Sequence, residues 1–280
     1  MSSTSMCAAR LRFAAAINRA DEEISLAEAA LWLAAEEYPR MDVSVYLERL
    51  HEFGELARRN AANCRGPRQT IAAINDVVFE ELGFHGNRDN YYDPRNSYLN
   101  EVIDRRTGIP ITLTIVYMDI ARTAGLELKG VGLPAHFIAK HVGESQEIYI
   151  DPFNCGEVMG YAGCEQLLNK VTGGKAQLKP EDLRAVTARQ VLTRTLSNLL
   201  GIYSKSDYRR ALAVVERLLI VNPDSPSYIR DRGLLLARLG ETKAARAELE
   251  RYLELEPAAP DADLILYQLK AIKQKQARWN

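Results

Sequence analysis

Several features are missing from this sequence, and each absence narrows what the chain can be. It has no charge surplus, since 36 lysines and arginines face 37 aspartates and glutamates, for a net charge of -1. No basic tail or long arginine run occurs. That argues against a dedicated nucleic-acid binder, whose affinity comes from clustered phosphate contacts. Cys7, Cys64, Cys155 and Cys164 lie scattered, with no CxxC pair and no zinc-finger spacing. No apolar run approaches the ~18 residues of a membrane span. The start, Met1 to Ile17, lacks the long apolar stretch that a secretory signal places after its basic residues. Reduced thiols and a cytoplasmic location are the expectation, with no membrane association. No cofactor or metal is called for.

What is present is an ordinary globular composition, 47% hydrophobic and 26% charged, on a chain long enough for one large domain or two ordinary ones. Ile24, Leu26, Ala29, Ala30, Leu31 and Leu33 are spaced for one buried helix face. Tyr38-Pro39 ends that pattern, because proline disfavours helix in the residue before it. A second stripe of Val43, Tyr46, Leu47, Leu50 and Phe53 follows, and a third helix near Arg68 to Leu82 stops at Gly83. Residues 84–97, FHGNRDNYYDPRNS, crowd turn formers together. A loop of that length carrying two tyrosines points to a functional loop. Tyr98 to Arg105 reads as a short helix, and the run from Ile111 to Ala124 as an apolar one stopped by Gly125.

From Leu128 the period changes. GVGLPAHFIAKH and EIYIDPF read as two strands joined by the turn VGESQ. Residues paired in a tight hairpin share a constant sum. For His136 and Asp151 it is 287, which centres the turn near Gly143-Glu144 and sets the two side chains opposite each other on one face. A carboxylate there would orient the imidazole and fix its tautomer, as in hydrolytic triads. Metal binding by His136, His141 and Asp151 is disfavoured, because residues five apart on a strand face opposite ways. Residues 156–184 mix short helix and loop, with Gly173-Gly174 a candidate boundary region.

The last third contains a repeat. Pro223 and Pro257, Ala211 and Ala245, and Ser206 and Gly240 are each 34 positions apart. SDYRRALAVVERLLIVNP and GETKAARAELERYLELEP share a turn, a small residue in the first helical turn, an apolar stripe and a closing proline. This period resembles the tetratricopeptide repeat. Gly233 stands where that family's first helix packs closely on the second, whereas the first unit has Leu199 there. DADLILYQLKAIKQKQ then reads as a capping helix. One such hairpin cannot bury both faces alone, and stacking creates a shared core. The repeats either hold a protein or peptide partner or brace the preceding domain, and partner binding is favoured by analogy of fold.

ISLAEAALWLAAEEYP, GNRDNYYDPRNSYLNEVIDRRTGIPITL, LPAHF and IDPFNCG, in that order, resemble the SirB1 family over residues 24 to about 160. The resemblance implies an α+β domain of transglutaminase-like (papain-like) type over 1–184, a helix on an antiparallel sheet. An all-α tetratricopeptide-like repeat domain over 185–280 would follow. It also implies a nucleophile at a helix N-terminus and a His and an Asp on the sheet, which would be His136 and Asp151. In active relatives of that fold a cysteine opens the helix that here begins near Ile111, and this sequence places Gly108, Ile109, Pro110, Ile111 and Thr112 there. Thr112 carries the nearest hydroxyl, which lacks the low pKa of a thiol and needs a positioned base. Cys155 lies at a strand end and is expected to be a partly buried thiol. Tyr91, Tyr92, Asp93, Arg95 and Asn96 are candidates to contact a ligand beside His136. The competing reading is a loop that bonds to itself through its Asn and Asp side chains.

Two functional expectations follow. The favoured one is a protein-interaction or regulatory factor without turnover. The alternative is a peptide-amide hydrolase or acyl-transfer enzyme using Thr112, His136 as base and Asp151 as orienter.

Overall fold

A computed structural model describes residues 3–143 and 147–277. By packing, the chain divides into two compact units, Met1–Thr195 and Leu196–Asn280.

The first unit opens with helices α1 (Ser3–Ile17), α2 (Leu26–Ala35), α3 (Val43–Asn60) and α4 (Pro67–Asn75). Local chemistry sets their ends. The Ser25 hydroxyl accepts the Glu28 N–H at the start of α2, and the Asp42 carboxylate accepts the Ser44 N–H at the start of α3. Gly66 with φ 89° precedes the proline that opens α4. A π-helical turn, Asp76–Glu81, continues α4, and Gly83 at φ 72° ends the run where the sequence places the stop. The short strands β1 (His85–Gly86) and β2 (Thr107–Gly108) pair in parallel and enclose the Asn87–Arg106 segment, which contains α5 (Leu99–Arg105).

Helix α6 (Pro110–Thr123) is the centre of this unit. Every residue from Pro110 to Tyr117 is buried, so the helix is covered all round, as an interior helix must be. Its Ile111, Leu113, Ile115, Val116 and Ile120 join one core with Leu31, Leu50, Ile71, Ile74, Leu99 and Val102. The sheet side adds Phe137, Ala139, Ile148 and Ile150 to that core.

The sheet has four antiparallel strands in the order β3 (Leu128–Val131), β4 (Ile138–His141), β5 (Ile148–Asp151) and β6 (Glu157–Met159). One face meets α6. The other carries Val131, Ile138 and Tyr149 against α7 (Tyr161–Thr172), whose Cys164, Leu167 and Leu168 complete a second core.

Two expectations about this sheet need correction. GVGLPAHFIAKH is not one strand. It supplies β3 and β4, which pair with each other across a turn at Leu133–His136. Pro134 and then Ala135 at φ 59° suit the type II turn, whose third residue has positive φ. The register of β4 with β5 also differs, since Ala139 pairs with Ile150 and Lys140 with Tyr149. The pairs sum to 289, so Asp151 falls level with Ile138 rather than His136. His136 itself precedes β4, in the turn that joins it to β3. Of the expected connecting turn, residues 144–146 lie outside the described residues.

Helix α8 (Ala188–Tyr203) contains the division between the units. The second unit continues with α9 (Tyr208–Val221), α10 (Pro226–Leu239), α11 (Thr242–Leu255) and α12 (Ala262–Ala277). Ala211 and Ala245, 34 apart, are both fully buried. A Cβ on Gly233 would stand 2.7 Å from a Leu249 methyl, which is the close approach of α10 to α11 that the sequence suggests. Asp261, at the turn into α12, accepts hydrogen bonds from Tyr252 and Arg230.

Candidate functional site

The His136–Asp151 pair is assembled by two turns rather than by strand pairing. Asp151 ends β5 and caps the 3-10 turn Pro152–Asn154, accepting the N–H groups of Phe153 (3.0 Å) and Asn154 (3.3 Å). Its other oxygen accepts the Asn154 side-chain amide at 2.6 Å and His136 Nε2–H at 2.8 Å. Four donors thus converge on a fully buried carboxylate. A proton on Nε2 suits this contact, and in the neutral ring the lone pair then falls on Nδ1. Among the described residues Nδ1 has no hydrogen-bond partner. His136 is 4% exposed, and the edge-on ring of Phe153 lies 5.8 Å away.

The start of α6 is built differently. Ile109, Pro110 and Ile111 are buried, and Thr112 is 1% exposed. The Thr112 hydroxyl donates to the Asn96 carbonyl at 2.7 Å and accepts the Ile109 N–H at 3.2 Å. A Cβ on Gly108 would come within 2.9 Å of that oxygen. The hydroxyl is enclosed and occupied by backbone groups, as a helix-capping residue would be. No hydrogen bond links it to His136 among the described residues.

Among the described side chains no thiol completes the set. Cys164 is fully buried in α7, and burial, with Asp151 and Glu147 adding to it, pushes its thiol up to about 12. Cys155 follows the 3-10 turn with φ 53° and is exposed, which corrects the expectation of a partly buried side chain. Cys64 is half-buried in another part of the domain. Among the described residues no hydrogen bond joins any cysteine to His136, and no three His, Cys, Asp or Glu side chains are grouped to hold a metal ion. His141 Nδ1 meets the Glu127 carbonyl at 3.3 Å.

The tyrosine-bearing loop is held mostly by itself. Asn96, with no exposed surface, donates to the carbonyls of Asn90 and Tyr91 and accepts from Asn87 and Arg105. Asp93 caps the 3-10 turn Pro94–Ser97 and grips Arg95 through two nitrogens. The Arg95 guanidinium beside it holds the Asp93 carboxyl below the usual range. Tyr92 is 78% exposed. Tyr91 differs, since its ring packs edge-on to Phe153 at 6.2 Å and so stands next to the residue covering His136. The structure therefore brings Tyr91, His136 and Asp151 into one neighbourhood, and gives Asp93, Arg95 and Asn96 partners within their own loop.

Residues that sequence reasoning missed are Phe153, Asn154, Arg88 and Arg194. Arg88 lies over the Phe153 ring and donates to the Asn154 side chain. Arg194, in α8, donates through Nη2 to the carbonyls of Leu133 (2.7 Å) and His136 (2.8 Å) and so clamps the turn that presents the imidazole. For Phe153 and Asn154 the signal was Asp151-Pro152, an acceptor followed by proline in the pattern of a turn cap. Nothing local could have pointed to Arg194, 58 residues from His136.

A central helix against an antiparallel sheet, a His–Asp pair at the sheet's end and a following helical array together define the transglutaminase-like class with tetratricopeptide repeats. Comparison with known proteins agrees. Residues 44–197 match the transglutaminase-like superfamily, and 200–270 match a tetratricopeptide repeat. A UPF0162 protein of Xylella fastidiosa is 35% identical over 252 residues, covering 88% of this chain and 89% of its own. A UPF0162 protein of Vibrio cholerae is 29% identical over 264 residues, covering 91% and 96%. F-box only protein 21 of Homo sapiens is 32% identical over 184 residues, which are 61% of this chain and 28% of that longer protein. The chain belongs to the SirB1-like UPF0162 family of the transglutaminase-like superfamily.

Proposed function

We infer that this protein is a non-catalytic interaction or regulatory factor. Its transglutaminase-like domain keeps the His136–Asp151 pair as a rigid structural or ligand-contacting element, and its repeats engage a protein or peptide segment. The observation that carries this reading is the start of α6, where Thr112 is buried and its hydroxyl serves Asn96 and Ile109. Loss of an activated nucleophile costs several orders of magnitude in rate. The free thiols accord with a cytoplasmic setting. No helix among the described residues is long and apolar enough to cross a membrane.

One observation favours the rival, a peptide-amide hydrolase or acyl-transfer enzyme. His136 Nε2 meets a carboxylate and Nδ1 has no hydrogen-bond partner among the described residues, the placement a general base needs. An electrophilic amide probe decides between them. Incubated with the full chain, it is expected to give no labelling that depends on Thr112 or His136. Specific labelling abolished by both Thr112→Ala and His136→Ala would establish the enzyme instead. Partner capture with the full chain and with a chain lacking residues 196–280 tests the repeats. The binding reading requires partners that the shortened chain does not retain.

A further inference from the structure

A groove of about 850 Å³ opens on the first unit beside the C-terminal half of α6. Residues 21–27, Met118 and Asp119 of α6 and the strand β3 wall it, and neither His136 nor Asp151 borders it. Leu26, Met118 and Val186 stand half-buried along it, so part of their apolar surface is open. β3 is an outer strand of its sheet, and only part of its free side is covered. There the Val186 N–H donates to the Gly130 carbonyl at 2.9 Å, and Val131 bridges Ala185. Continued by two residues, that pairing would set Ala188 against Leu128. Instead the Ala188 N–H donates to the Asp21 carboxylate, where α8 begins. Alternate residues of a strand point their N–H and C=O groups the same way, so those of Leu128, like the Gly130 carbonyl, face away from β4. Among the described residues no backbone group bonds to the Leu128 pair.

The acids around this groove outnumber the bases. Asp21, Glu22, Glu23, Asp119 and Glu127 line it against Arg122 and Lys129. Both cations are already matched on the wall, Arg122 with Asp119 at 3.0 Å and Lys129 with Glu127 at 2.7 Å. Arg189 takes Asp21. Glu22 and Glu23 are exposed, and their carboxylates have no hydrogen bond or ion pair among the described residues. An unpaired strand edge, open apolar surface and uncompensated negative charge thus meet in one opening. Edge groups of this kind template the addition of another strand, whose side chains then supply specificity. Charge of opposite sign on that strand steers it in and excludes acidic competitors.

We propose that this groove docks an extended, basic segment of a partner protein. One residue of the segment pairs with Leu128 through both of its backbone groups and so adds a short strand to the free part of β3. Apolar side chains of the segment cover Leu26, Met118 and Val186, and its lysines or arginines reach Glu22 and Glu23. A free polyamine satisfies the carboxylates and leaves the Leu128 groups unmatched, whereas a peptide serves both. The surface belongs to the first unit and gives it a partner of its own, beyond whatever the repeats engage.

The test is a titration of the full chain read by backbone amide NMR at Leu128 and Gly130, which report this groove and not the repeats. The probe is an acetylated pentapeptide amide alternating lysine and valine. Its controls are the same peptide with glutamate for lysine, the same peptide N-methylated at its backbone amides, and spermidine. The expected result is a saturable shift of both amides by the lysine peptide, about tenfold tighter than the glutamate peptide or the N-methylated one. Glu22→Lys combined with Glu23→Lys should weaken the lysine peptide about tenfold and improve the glutamate peptide. Both residues are exposed, so the fold is not at stake. Indifference to peptide charge, or an unchanged affinity in the double variant, overturns the charge recognition. Equal binding of the N-methylated peptide, or the same shifts from spermidine, overturns the strand pairing. No saturable shift at about millimolar lysine peptide, the weak end of measurable affinity, overturns the proposal as a whole.

Discussion

The two halves of what would be a catalytic constellation are built to different standards. On the sheet side, a buried carboxylate receives four donors, an imidazole is held by one of them, and an arginine clamps the turn beneath it. On the helix side, the residues at the N-terminus of α6 are apolar and sealed, and the one hydroxyl there holds the backbone together. The contrast teaches that orientation and attack are separable. Asp151 has a second task as the cap of the Pro152–Asn154 turn, so its place is defended by folding whether or not chemistry follows. A nucleophile at a helix start has no such second task, and a capping threonine contributes more to stability than an exposed thiol.

The comparison breaks most sharply at Asp151. Asp151→Ala strands a buried imidazole N–H and two backbone N–H groups, and should lower stability by about 3–5 kcal/mol. Urea denaturation measures it, and a loss below about 1 kcal/mol would mean the network is not holding the turn. Next comes a gain-of-thiol experiment. Pro110→Cys supplies sulfur at the first residue of α6, and a thiol electrophile should label it at least about tenfold faster with His136 present than in the His136→Ala background. Equal rates would show that the imidazole does not face the helix start. Thr112→Val should cost about 1–2 kcal/mol by leaving the Asn96 carbonyl and Ile109 N–H unmatched. Thr112→Ser should stay near wild type in the same thermal melts. The smallest effect is at Ala135, where positive φ strains a non-glycine residue, so Ala135→Gly should stabilise by up to about 1 kcal/mol. Destabilisation there would mean that the methyl group packs.

Much of the frame was readable from pattern alone. The stripes around Leu31 and Leu50 gave α2 and α3, the 34-residue spacing gave the helical array, and the repeat resemblance placed Gly233 at its close contact. The His136–Asp151 pairing was anticipated, though by way of the wrong register. Turn formers mark where a hairpin reverses to within a couple of residues, and a two-residue slip leaves the side-chain faces unchanged. The break at Leu133–His136 was missed because the apolar alternation runs straight through it. Proline followed by alanine is a weak turn signal when glycine is the usual occupant of the left-handed position. The loop tyrosines looked equivalent in sequence, and only packing against Phe153 separates Tyr91 from Tyr92.

The Asp21 carboxylate accepts the Ala188 N–H at the first turn of α8, and the Arg189 guanidinium reaches back to the Ile17 carbonyl. Partners 167 and 172 positions apart thus close a loop that spans most of the domain. On the ribosome the imidazole-bearing turn must wait without its latch until nearly 200 residues have been made. A protein trimmed at residue 184 would carry both halves of the His–Asp pair and lack the arginine that holds the imidazole-bearing turn.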